Sequence, residues 1–169
     1  MRPFMVWCPI PEPRPVLLHA VREFVQAAAQ CAGVHQIALV GSLATDKPVP
    51  KDADVLVTID HAMDLGRLAT AGRRLKGQAQ TINLGADIFL ADPDGRYIGR
   101  ICGYRECHTR ALCYAQHCGG RSHLNDDLHV VALSPELVAA PPLELWPNIV
   151  ARNVLPRAVE TILLSSKRA

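Results

Sequence analysis

Two aspartates two residues apart, Asp52 and Asp54, stand directly before the apolar run Val55-Leu56-Val57. The period-2 alternation of a strand puts both carboxylates on one face and Ala53 on the other. Neighbouring like charges repel, so a fold that keeps them usually has a cation for them. Hard divalent ions such as Mg²⁺ take oxygen ligands and often hold substrate phosphates at the same time. Upstream, a second apolar run, Ile37-Ala38-Leu39-Val40, ends at Gly41-Ser42, and a loop containing Pro48 and Pro50 joins the two runs. A lone acid, Asp87, lies inside Ala86-Asp87-Ile88-Phe89-Leu90.

Softer ligands gather further on: Cys102, Cys107-His108, Cys113, His117-Cys118 and His123. Cys107, Cys113, His117 and Cys118 form a candidate tetrahedral Zn²⁺ set. In a helix over residues 112–118, Cys113 and His117 would share one face at i and i+4. The competing role for such cysteines is that of small buried hydrophobes. Arg96, Arg100, Arg105, Arg110 and Arg121 thread the same segment, suited either to phosphate or to solvent. Asp126-Asp127 is another acid pair, expected to cap or solvate a following strand and to replace Asp87 as third acid if Asp87 faces away.

The elements that must position these groups follow from periodicity and punctuation. A helix is predicted over residues 16–31, with Leu17, Val21, Phe24, Val25 and Ala28 on one face and Gly33 as its stop. Strands are predicted over 37–40 and 53–59. A second helix over 63–76 carries Leu65, Leu68 and Leu75 inward, ends at Gly77, and shows Arg67, Arg73, Arg74 and Lys76 to solvent. A third strand region, 82–90, closes at the turn Asp92-Pro93-Asp94-Gly95, with 97–102 as its hairpin partner. Further strands are expected at 4–7 and 129–133. Ser134-Pro135-Glu136 starts a short helix, with Ser as N-cap. A last helix over about 156–166 points Val159, Ile162 and Leu163 inward. The fold class is α/β (α+β). It is a small mixed, twisted sheet with the acids on one edge or face and helices mainly on the other. The whole is one domain, with a core of about 16–133 and a C-terminal elaboration over 134–169.

The 169 residues suffice for a sizeable core. Apolar residues at 49% and charged residues at 20% belong to a globular chain rather than a disordered one. Aromatics are 5%, so aliphatic side chains must fill the interior. A net charge of +2 is too small to argue for a nucleic-acid partner by itself. No stretch is apolar enough to span a bilayer, and the proline-interrupted start lacks the apolar centre of an export signal. A cytoplasmic location is therefore expected, with the six cysteines as thiols or metal ligands rather than disulfides.

The order helix, strand ending in Gly41-Ser42, strand carrying Asp52-Ala53-Asp54-Val55, helix, strand carrying Asp87 resembles the nucleotidyltransferase superfamily that includes DNA polymerase β, in its minimal form. The spacer between Gly-Ser and Asp-x-Asp is Leu43 to Lys51, and the resemblance covers roughly the first half of the chain. It implies that Asp52, Asp54 and Asp87 bind one or two Mg²⁺ ions, which neutralise a triphosphate and align a hydroxyl for in-line displacement at the α-phosphorus. Asp87 would help hold the ion nearest the nucleophile and could take its proton. Gly41 would let the backbone pass close to the phosphates, and Ser42 would offer its hydroxyl and N–H. Many minimal members have a basic residue and a glycine after Gly-Ser, where this chain has Leu43-Ala44-Thr45-Asp46. Lys51, or Lys47, is the available phosphate contact. The implied donor is an NTP, ATP foremost. The acceptor, a small molecule, an RNA end or a protein side chain, lies outside the motif. A homodimer or a toxin-like protein partner would complete the site, and no membrane is implied. The alternative is a catalytically inactive member of the same fold, a zinc-stabilised module binding RNA or a partner protein.

Overall fold

Seven strands form one sheet in the computed structural model, which describes residues 10–105 and 113–165. In chain order they are β1 (Val34–Val40), β2 (Asp52–Ile59), β3 (Gly85–Ala91), β4 (Tyr97–Ile101), β5 (Leu124–Asn125), β6 (Leu143–Trp146) and β7 (Val150–Ala151). Their spatial order is β5-β4-β3-β2-β1-β6-β7. β2 and β3 run parallel, and the other neighbours are antiparallel, so the sheet is mixed. A parallel pair needs a crossover, and helix α2 (Gly66–Gln80) supplies it. The helices α1 (Pro13–Ala28), α3 (Pro135–Ala139) and α4 (Arg157–Val159) complete an α+β architecture, with a π-helical turn, Glu160–Leu164, continuing α4.

The two faces of the sheet differ. On one, α1 buries Leu17, Leu18, Val21 and Phe24, and α2 buries Leu68, Ala69 and Leu75, against Ile37, Leu39, Val55, Val57, Ile88 and Leu90. Val159 and Leu163 extend the same core. The opposite face holds a smaller cluster, Ala38, Val40, Leu56, Phe89 and Ala91, covered by Val138 of α3. Alternation places Asp52, Asp54 and Asp87 on this second face, upstream of Leu56 and Phe89. The expectation of acids on one side and helices mainly on the other holds. Among the described residues, no helix is long and apolar enough to cross a membrane.

Several local expectations change. α2 runs through Gly77 to Gln80, and Gly77 is an exposed interior residue with open space where a Cβ would be. A helix tolerates such a glycine at about 1 kcal/mol, and buried Leu75 and Ala79 hold its packing on either side. Residues 129–133 form no strand. The N–H groups of Val130 and Val131 both donate to the carbonyl of Asp127, closing a turn, and Val130 is exposed. The strand that does belong to the late chain is β6. Its Leu143 and Leu145 alternate inward, and it pairs with β1. The C-terminal third therefore builds the sheet instead of merely decorating it. The Ser134 cap holds: its Oγ accepts from the Leu137 N–H at 3.2 Å. The strand expected at residues 4–7 lies outside the described residues.

Candidate functional site

Strand register brings the acids together. In the parallel ladder Asp54 lies opposite Asp87, and Asp52 lies opposite Gly85. On its other side Asp54 faces Val40, the last residue of β1. The chain then turns at Gly41, whose φ of +71° is a conformation that L side chains rarely adopt. A Cβ there would stand 2.6 Å from Asp54 Oδ2, and a Cβ on Gly85 would stand 2.6 Å from Asp52 Oδ1. Both glycines make room for a carboxylate. Gly41→Ala should cost about 1–3 kcal/mol from backbone strain and push the Asp54 carboxylate aside. Urea denaturation would read the first effect.

Ser42 opens the 3₁₀ turn Ser42–Ala44, which buries Leu43 and Ala44 and brings the Thr45 N–H and hydroxyl onto the Ser42 carbonyl. From α1, Arg14 donates to the carbonyls of Leu43 (2.8 Å) and Lys47 (2.5 Å), pinning the loop that follows Gly41. Lys51 is exposed just before β2. Strand alternation puts it out of phase with Asp52 and Asp54.

The three carboxylates are unequal. Burial, then the charges of Asp87 and Asp52, raise the Asp54 carboxyl to about 7, with Arg100 opposing the rise. Among the described residues, the Asp52 and Asp54 carboxylates receive no hydrogen bond or ion pair. Asp87 does: its Oδ1 accepts from Arg100 Nη1 at 3.0 Å. The other arm of that guanidinium, Nη2, reaches Asp127 Oδ2 at 2.5 Å. The Asp127 side chain is 2% exposed, against 23% for Arg100 and 40% for Asp87. Burial alone would weaken the Arg100 charge. The hydrogen bond to Asp127 and the charges of Asp87 and Asp127 outweigh it and raise its pKa.

Asp127 is thus neither a cap nor a substitute third acid. It is a buried anchor for Arg100. Its neighbour Asp126 accepts from the His117 N–H (2.9 Å) and Nδ1 (2.6 Å), and the backbone bond first of all holds its carboxyl below the usual range. Sequence reasoning missed the roles of Arg14 and Arg100. Arg100 was one of five arginines in the segment, and what singles it out is its register opposite Phe89 on β4, on the acid face.

The cysteine–histidine segment does not gather in the same way. Cys107 and His108 lie outside the described residues. Residues 113–118 are not helical, so Cys113 and His117 do not share a helix face. Cys113 and Cys118 are exposed, His117 is engaged by Asp126, and His123 Nδ1 meets the Arg73 guanidinium at 3.1 Å. Among the described residues, no group of three or more His, Cys, Asp or Glu stands ready to hold a metal. At the acid face one oxygen of Asp87 is turned to Arg100. The donor chemistry nonetheless fits a hard divalent cation. Two carboxylates with no hydrogen bond or ion pair among the described residues lie beside a third, and burial, then the charges of Asp87 and Asp52, disfavour the ionised form of Asp54.

No curated protein and no solved structure matches the chain. Residues 3–111 match the model of a family of unknown function, DUF6932. The match takes in Gly41, Ser42, Asp52, Asp54, Asp87 and Arg100 and stops short of Asp127. With most of its length covered, acid face included, the chain belongs to the DUF6932 family.

Proposed function

We propose that the protein is a metal-dependent nucleotidyltransferase that moves a nucleoside monophosphate from an NTP to a hydroxyl acceptor. The observation that carries this reading is the pairing of Asp54 with Asp87 across the β2–β3 ladder, with Asp52 on the same face and Gly41 closed against Asp54. The order of elements and the mixed sheet support a nucleotidyltransferase-like fold. Asp52 and Asp54 are the residues to hold Mg²⁺, with Asp87 as the third acid. A divalent ion there would neutralise triphosphate charge and favour the acceptor's alkoxide.

This chain's own groups do the rest. Gly41 keeps side-chain bulk away from the phosphates, and Ser42 offers a hydroxyl at the start of a turn held by Arg14. Asp87 Oδ2, the oxygen not bonded to Arg100, takes the acceptor's proton. The acceptor oxygen forms the new bond to the α-phosphorus, the bond to the bridging oxygen breaks, and pyrophosphate leaves with that electron pair. Calorimetric titration of each NTP in Mg²⁺, on wild type and on Asp52→Asn/Asp54→Asn, tests the reading. Binding should appear in wild type and vanish in the variant. Absence of binding in wild type would favour an inactive module of the same fold that uses its arginine-bearing segment on RNA or a protein.

A further inference from the structure

Four buried polar atoms beside the acid face have no hydrogen-bond partner among the described residues: Arg100 Nε, Asp127 Oδ1, Tyr97 Oη and Asn125 Oδ1. Two of them belong to the same ion pair. Arg100 holds Asp127 through Nη2 and Oδ2 only, and spends Nη1 on Asp87. A guanidinium and a carboxylate pair best through two parallel N–H···O bonds. Were Arg100 to turn so that Nε and Nη2 face both oxygens of Asp127, two orphaned atoms would be satisfied at once. The same turn would release Asp87.

Close packing surrounds the pair on the β5 side. Arg100 sits on β4 opposite Phe89, next to Gly99 at φ +131°. A Cβ at Gly99 would run into the Asn125 carbonyl, so β4 lies tight against β5 and the Asp126 Cα. Asp127 is buried, and its carbonyl holds the Val130 and Val131 N–H groups; the Arg100 and Asp87 side chains are the more exposed parts.

We infer that Arg100, anchored on buried Asp127, is a two-position switch that withholds Asp87 from a divalent cation at Asp52 and Asp54. In the bridging state the guanidinium is the counter-charge of Asp87, and a cation finds two carboxylates. In the bidentate state Arg100 is paired with Asp127 alone, and the cation gains the third. A ligand shifts such an equilibrium by its differential affinity for the two states, and here the released Asp87 supplies that difference. This inference rests on the acid face being a cation site, and Arg100 and Asp127 are positioning residues within it.

Mn²⁺ binding, read by electron paramagnetic resonance of the free ion, tests both levels separately. Arg100→Gln/Asp127→Asn removes both charges and leaves a neutral amide at each position, so neither charge is stranded. It should bind Mn²⁺ tighter than wild type, on the order of tenfold, and Asp87→Asn should cost more affinity in that background than in wild type. Equal costs in the two backgrounds, or no tightening, would overturn the switch. Unchanged Mn²⁺ binding in Asp52→Asn/Asp54→Asn would instead remove the cation site, and the switch with it. A second measurement needs only the native protein. The Arg100 Nε–H resonance, assigned by its loss in Arg100→Lys, should exchange with solvent more slowly and shift as it gains a hydrogen bond on saturation with Mg²⁺. An Nε–H whose exchange and shift do not respond to Mg²⁺ would contradict the bidentate state.

Discussion

Arg100→Ala should destabilise the protein by about 3–5 kcal/mol, the range for stranding one member of a buried ion pair. The asymmetry of the pair sets this expectation. Asp127 is almost wholly enclosed, and its Oδ2 takes its charge-assisted bond from Arg100. Without the guanidinium a carboxylate is left inside the sheet, where either ionising it or protonating it is unfavourable. Asp87 loses an ion pair too, but it is far more exposed and water can replace much of the loss. Asp127→Asn should cost less than Arg100→Ala, because Arg100 keeps Asp87. The double variant Arg100→Ala/Asp127→Asn should be more stable than Arg100→Ala alone, because no carboxylate is left stranded. Urea denaturation of the three variants gives the coupling directly. If the double variant lost the sum of the single losses, the two side chains would be acting independently and the anchor model would fail.

That pair also marks where sequence reasoning stops. Asp52 and Asp54 were legible because strand alternation depends only on a period of two, and Ala53 between them is buried as the alternation requires. Asp87 was legible because it interrupts an apolar run of the same kind. Their being neighbours was not, since register across β2 and β3 is set by α2 and by the glycine at position 85 making room for Asp52. Asp127 was misread for a related reason. The run after it looks like a strand, but the Asp127 carbonyl captures two N–H groups in a turn, and the burial of its side chain depends on Arg100, 27 residues away. β6 was missed because Leu143-Glu144-Leu145-Trp146 is short and flanked by Pro142 and Pro147, and its pairing with β1 spans over a hundred residues. Local pattern carried the elements. Long-range pairing carried the electrostatics.

Asp54→Asn should make the protein more stable above neutral pH while abolishing the divalent-cation binding proposed for the acid face. The sign follows from the direction of the Asp54 shift, which is opposite to that of a salt-bridged carboxylate. Its ordinary value is 3.8 and its folded value about 7, raised by burial and by Asp87 and Asp52 against the pull of Arg100. Well below pH 3.8 the group is protonated in both states and contributes nothing. As pH rises the unfolded chain gives up the proton first, and stability falls by at most about 1.4 kcal/mol per pH unit. Above about 7 both states are ionised and the penalty is constant. Asparagine has no such penalty. The melting temperature of the variant should therefore match wild type at about pH 3, exceed it increasingly toward pH 7, and keep a steady lead beyond. The lead should be on the order of a few kcal/mol at most, because Asp54 is not fully enclosed and solvent screens part of the repulsion. Mg²⁺ reverses the comparison: an ion bound to the folded state alone raises stability by mass action. At pH 8, millimolar Mg²⁺ should raise the melting temperature of wild type and leave that of Asp54→Asn where it was. A pH-dependent lead without a Mg²⁺ response would mean that the carboxylate repulsion is real but that no cation relieves it.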